Sequence, residues 1–148
     1  LVSYIVGLGI EVIFAQIRGH EVSEGYFVTG LLIPMICPPD VPLWQLALAV
    51  AFAVIIGKEV FGGTGYNFLN PALVARAFLF FSYPIQMSGD TVWIAEKADA
   101  YSGATPLGEM IAGANLPSTS IMDMFIGFMP GCVGETSMIA ILIGALIL

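Results

Sequence analysis

The sequence predicts an all-α fold, a polytopic membrane helix bundle whose spans include broken half-helices. Three observations carry that expectation. The chain is 58% hydrophobic and 10% charged, against about 25% charged residues in an ordinary soluble domain, and its mean hydropathy is +0.94. Its apolar residues fall into runs divided by Gly, Pro and short polar turns. Several runs are shorter than the roughly 20 residues that a full helical crossing takes.

The expected spans are 1–17, 25–37, 42–57, 72–83, 121–130 and 136–148, all within one membrane domain over residues 1–148. The first, "LVSYIVGLGIEVIFAQI", reads as most of a spanning helix and lacks the basic, apolar and small-residue order of a signal peptide. The second and fourth, "GYFVTGLLIPMIC" and "PALVARAFLFFSY", each cover part of a bilayer. Between Lys58 and Pro71 the chain is punctuated by Gly62, Gly63, Gly65, Asn67 and Asn70. Irregular backbone at membrane depth is tolerated where protein or a lined cavity satisfies its polar groups, so these breaks predict discontinuous helices around a pocket or pathway. Tilted or extended helices are the alternative. Both ends of the chain run into apolar sequence, and the expectation is a fragment of a longer protein.

Charge narrows the function. The net charge is −7 with four Lys and Arg in all, which excludes a broad basic surface for nucleic acid. Cys37 and Cys132 close two apolar runs without C-x-x-C spacing, so they read as small buried apolar residues rather than a disulfide framework or metal site. Arg18 and Lys58 close the first and third spans, and the positive-inside rule places them in the cytoplasm. The loop 84–120, with Asp90, Glu96, Lys97, Asp99 and Glu109, is then extracytoplasmic.

Ionisable groups inside apolar runs are costly and each needs a reason. Glu11 and Arg76 are two such groups. Either borders an ion path or is paired within protein, with snorkelling a further reading for Arg76. His20, beside Glu21 and Glu24, reads as a solvated loop residue. Gly7 and Gly9 make a flat patch on the first helix that serves helix packing or admits a flat ring. "FGGTG" lacks the context of a phosphate-binding loop, and close backbone approach is the better reading.

Two stretches read as helix starts. In "NFLNPA", Asn70 followed by Pro71 is an N-cap and first helical residue, and Asn67 brings a second carboxamide to the same helix start. Carboxamides at membrane depth cap broken helices and tie them to their neighbours. In "DAYSGAT", residues 99–105, Thr105 stands before Pro106 among small residues. On the residues alone it reads as a helix cap before a proline at the first helical position.

The segments "HEVSEGYFVTG", "KEVFGGTGYNFLNPALVARAFLFFSYPIQMSGD", "YSGATPL" and "GFMPGCVGETS" together resemble the family of B-type membrane subunits of the Na+-translocating NADH:quinone oxidoreductases, over nearly the whole chain. The related D-type subunits of the Rnf ferredoxin complexes share the attachment motif and fold. The resemblance implies a channel-like architecture of two inverted repeats, similar to urea and ammonium transporters, of which this chain holds roughly the first half. It implies FMN joined covalently to Thr105 through a phosphoester, within the motif D-x-x-[ST]-[GS]-A-T that a flavin transferase recognises. Asp99, Ser102, Gly103, Ala104 and Thr105 fill the motif's defined positions. It implies noncovalent riboflavin, for which Asn67 and Asn70 are the candidate residues, and a quinone region for which Gly7 is the candidate.

The function so implied is electron carriage from FMN through riboflavin to ubiquinone or menaquinone, coupled to Na+ export across the bacterial inner membrane. The protein would act as one multi-pass subunit of a larger complex, inactive alone, with no catalytic side chain of its own. Its expected partners are the other subunits, quinone, Na+, the flavin transferase and the lipid bilayer. The alternatives are a D-type subunit of a ferredoxin:NAD electron transport complex and a flavin-free channel or transporter.

Overall fold

The computed structural model describes residues 1–19, 21–88, 106–113, 119–129, 131–134 and 136–148. Among them the fold is all-α, with no strand. Four helices form the core: α1 (Val2–Arg18), α2 (Tyr26–Ile36), α3 (Leu43–Gly57) and α4 (Pro71–Ser82). A 3-10 turn, Glu59–Phe61, follows α3. The shorter helices α5 (Pro84–Met87), α6 (Pro106–Ile111), α7 (Ile121–Ile126) and α8 (Met138–Ile147) complete the described elements.

Local chemistry sets the helix ends. Gly19 adopts the left-handed conformation, φ 69°, and its N–H donates to Ala15 O, closing α1. The Asn70 carboxamide oxygen accepts from the Ala72 N–H at 2.9 Å, and Pro71 occupies the first helical position where its missing N–H costs nothing. Ser120 and Ser137 cap α7 and α8 in the same way. Gly127, at φ 108°, ends α7 after Ile126, so the apolar stretch expected to be helical through residue 130 stops earlier. Hydropathy reads the apolar side chains there and not the backbone that a left-handed glycine imposes.

Helix α2 carries Pro34 in its interior. Proline has no N–H to give the carbonyl four residues back, which leaves Gly30 O without its helical donor. The Ser3 hydroxyl of α1 donates to that oxygen at 2.9 Å. A break in one helix is thus repaired by a side chain of its neighbour.

Small residues fill the centre. Ala49, Val50, Ala53 and Val54 of α3 are fully buried against Ala72, Ala75 and Leu79 of α4, and Gly57 lies against the Val74 side chain. Residues of this size at helical spacing let backbones approach closely. Large apolar side chains point the other way. Ile5, Ile13, Ile17, Phe27, Leu31, Leu73, Phe81 and Ile85 are exposed, while the charged Glu11, Lys58 and Glu59 are buried. Apolar surface of this extent marks a protein or membrane contact, and the arrangement is that of a membrane bundle.

Lengths separate full crossings from partial ones. The segment Leu43–Phe61 is long and apolar enough to cross a bilayer. Helices α2, α4 and α8 are apolar but have 11, 12 and 10 residues. At 1.5 Å per residue they extend roughly 15–18 Å, about half of a hydrocarbon core near 30 Å.

Candidate functional site: two short helices opening on a buried ion pair

The site is built from two chain reversals. Helix α1 runs about 16 Å from Gly7 to Arg18, yet α2 begins back beside its first residues. The Tyr26 hydroxyl donates to Ser3 O at 2.7 Å, and the Tyr4 hydroxyl donates to Phe27 O at 2.8 Å. Between the end of α1 and the start of α2 the chain therefore returns along α1, and α2 starts alongside the first half of that helix. The second reversal follows α3. Gly62, Gly63 and Gly65 all have positive φ, at 115°, 95° and 92°, and they fold residues 58–70 so that α4 starts next to the end of α3. Thr64 of this loop lies against Gly25, where an added Cβ would come within 3.0 Å of its methyl.

These reversals bring the N-termini of α2 and α4 to one cavity of about 340 Å³. Its polar lining is Thr29, Lys58, Thr64, Asn67 and Asn70, and Val28, Leu32, Phe68 and Leu69 supply apolar wall. The structure thus brings Asn67 and Asn70 together at one opening. Both also make local bonds. Asn67 Nδ2 donates to Leu69 O at 2.9 Å, and Asn70 caps α4. Each bond uses one end of the carboxamide.

Behind this cavity lies a buried ion pair. Lys58 Nζ donates to Glu11 Oε1, and both side chains are 4% exposed. The Lys58 ammonium also sits 5.9 Å from the centre of the Tyr26 ring. Further along α1, Arg18 pairs with Glu59 at 3.6 Å. The two cations that close α1 and α3 thus share one end of the bundle. A second cavity, about 470 Å³, is lined by Glu11, Arg18, Lys58, Glu59 and Thr64 among others. Lys58 and Thr64 line both cavities and divide them.

Gly7 serves contact with an aromatic ring. It is buried, and a Cβ built there would overlap the Tyr26 hydroxyl and ring edge. Gly9 faces open space. Residues two positions apart on a helix point about 200° apart, so these glycines do not form the single flat patch expected of them. Gly30 gives the reciprocal fit, its Cα facing Tyr4 and Tyr26. Glu11 takes the paired role of the two open to it. Arg76 is half-buried on α4, and Cys37 and Cys132 are buried thiols.

Asp99, Ser102, Gly103, Ala104 and Thr105, most of the loop 84–120, and His20 lie outside the described residues. Pro106, which follows Thr105, begins α6. Sequence reasoning used Lys58 as a topological marker and missed its pairing with Glu11. The available signal was that each stands as an isolated opposite charge in or at the end of an apolar run, and such charges seek each other.

The family described as NQR2, RnfD, RnfE matches the chain over residues 1–148. Among curated proteins, the B-type subunit of the Na(+)-translocating NADH-quinone reductase of Stutzerimonas stutzeri is 58% identical over 151 residues, covering 99% of this chain and 37% of that protein. Its counterpart in Chromohalobacter salexigens is 57% identical over 100% of this chain and 36% of its own length. That of Pseudomonas aeruginosa is 56% identical over 100% and 37%. The chain spans somewhat over a third of the length of these relatives.

Proposed function

The chain belongs to the NQR2, RnfD, RnfE family, and from that premise we propose that it forms part of the B-type membrane subunit of a Na+-translocating NADH:quinone reductase. The observation that carries this reading is 56–58% identity, across the chain, to proteins bearing that name. In this role the chain is one multi-pass component of an inner-membrane complex. It passes electrons that originate from NADH toward quinone while the complex exports Na+. The other subunits are its partners, and the end of the bundle that carries Arg18 and Lys58 faces the cytoplasm.

Two flavins belong to the proposal. Thr105, in the sequence Asp99-Ala100-Tyr101-Ser102-Gly103-Ala104-Thr105, carries FMN as a phosphoester on its hydroxyl oxygen, installed by a flavin transferase. Ser102, Gly103 and Ala104 give the acceptor small neighbours, as a transferase that draws the hydroxyl into its own site requires. Riboflavin occupies the cavity at the starts of α2 and α4. The fit is favourable in size and chemistry. The 340 Å³ volume lies within the roughly 300–1,000 Å³ of small-molecule sites, which combine apolar walls with a few placed polar groups. When bound, a flavin supplies one-electron and two-electron transfer.

The residues of the chain bind, orient and exclude water. Asn67 and Asn70 offer carboxamide donors and acceptors to a ring edge, and Thr29 and Thr64 add hydroxyls. Phe68 and Leu69 wall the cavity. Gly7, the candidate for the quinone region, seats the Tyr26 ring against α1. The test is to replace Asn67 and Asn70 together by Ala in the full-length protein within its complex and measure flavin content. Loss of the noncovalent flavin with FMN on Thr105 kept is the expected result. Full retention of both refutes the assignment of this cavity.

A further inference from the structure

Lys58 has no place in the attachment motif, and stability offers little reason for it. Taking an ammonium and a carboxylate out of water costs several kcal/mol per ion, and a packed apolar pair of similar volume is often as stable or more so. Yet the Lys58 side chain is 4% exposed, bonded to Glu11, and lines the cavity that Asn67 and Asn70 share. Two further sources of positive potential open on that cavity. Helices of 11 and 12 residues, α2 and α4, both begin there, and each N-terminus carries a partial charge of about +0.5.

Resting on the reading of that cavity as the noncovalent flavin site, we propose that the Lys58–Glu11 pair sets the reduction potential of that flavin. An electron arriving from NADH through the partner subunits adds one negative charge to the cavity. Lys58, which lines the cavity, is a fixed countercharge, so the charge change is met without a proton having to follow. Glu11, on the far side of Lys58 in the 470 Å³ cavity, opposes the same change and keeps the site from becoming an electron trap. The Tyr26 ring, 5.9 Å from the ammonium, and the Ser3 carbonyl that holds its hydroxyl limit where Lys58 can move. The pair acts as a charge balance in which the two members pull in opposite senses. The geometry separates this role from a structural one, since a structural defect at either residue would act in one direction.

The test uses the intact complex with the full-length protein and spectroelectrochemical titration of its flavins. Lys58→Met removes the positive charge, and the one-electron reduction equilibrium of the noncovalent flavin falls at least tenfold, about 59 mV for a one-electron couple. Glu11→Gln keeps the shape and a hydrogen-bond acceptor while removing the negative charge, and the potential rises. Lys58→Arg stays near the parent, and the double variant falls between the two singles. The covalent flavin serves as an internal reference and stays unmoved. Shifts of the same sign in both single variants, or no shift with the flavin bound, overturn the proposal. Should Lys58→Met fail to assemble, the rise in Glu11→Gln and its absence in Lys58→Arg decide the matter. A parent complex without a noncovalent flavin overturns the reading of the cavity itself, an outcome distinct from unmoved potentials.

Discussion

Breaking the Lys58–Glu11 pair from one side should destabilise the bundle more than removing both charges. Each side chain is 4% exposed and they are joined by a direct hydrogen bond. Losing one partner of such a pair costs about 3–5 kcal/mol, because the other charge stays buried without compensation. The two singles differ in what remains. After Glu11→Leu, the Lys58 ammonium keeps the Tyr26 ring 5.9 Å from its nitrogen, and a desolvated cation over an aromatic face recovers roughly 0.5–2 kcal/mol. After Lys58→Met, the Glu11 carboxylate keeps no cation within ion-pair distance among the described residues. Lys58→Met should therefore sit at the upper end of the range and Glu11→Leu at the lower. The double variant Glu11→Leu/Lys58→Met removes both desolvation costs and should be more stable than either single. Thermal or denaturant unfolding of the full-length protein in detergent measures all four forms. Single variants within about 1 kcal/mol of the parent, or a double variant as unstable as the sum of the singles, would refute the reasoning.

Three sets of substitutions follow from local geometry. Ser3→Ala leaves Gly30 O without a donor, since Pro34 supplies none, and should cost about 1–3 kcal/mol; Pro34→Ala, which restores the helical N–H, should recover most of that in the same unfolding assay. Gly7→Ala collides with Tyr26 whereas Gly9→Ala meets open space, so the first should lower stability by about 1–3 kcal/mol and the second should raise it by up to about 1 kcal/mol. Melting temperatures that move together would contradict the packing of Tyr26 on Gly7. Asn70→Ala removes the α4 cap and should cost about 0.5–2 kcal/mol. Asn70→Ser preserves a cap but not the carboxamide, so it should keep the fold while losing noncovalent flavin, as read by flavin extraction.

Much of the fold is written in local chemistry. The Asn70-Pro71 start of α4, the Ser caps of later helices and the short apolar runs that become α2 and α4 are all visible without tertiary information. What local chemistry cannot supply is depth. Glu11 and Lys58 are 47 residues apart, and they meet because the chain folds back on itself to pack α1 against α3. Gly7 and Tyr26 fit for the same reason. Periodicity cannot distinguish a glycine that admits a ring from one that faces outward, and Gly7 and Gly9 illustrate both cases two residues apart. Asn67 and Asn70 show a different limit. Their placement at one cavity follows from the fold, but their own hydrogen bonds are those of ordinary helix starts. Thr105 is singled out by the motif alone, residues 99–105 in unbroken order.

That motif gives the most direct measurement. The full-length protein, expressed in membranes with the flavin transferase, is digested and the peptide containing Thr105 is analysed by mass spectrometry alongside a Thr105→Ala control. The expected result is an added FMN, joined through phosphate to Thr105 and absent from the control. An unmodified Thr105 in a complex that reduces quinone would contradict the assignment of this chain as a covalent flavin carrier.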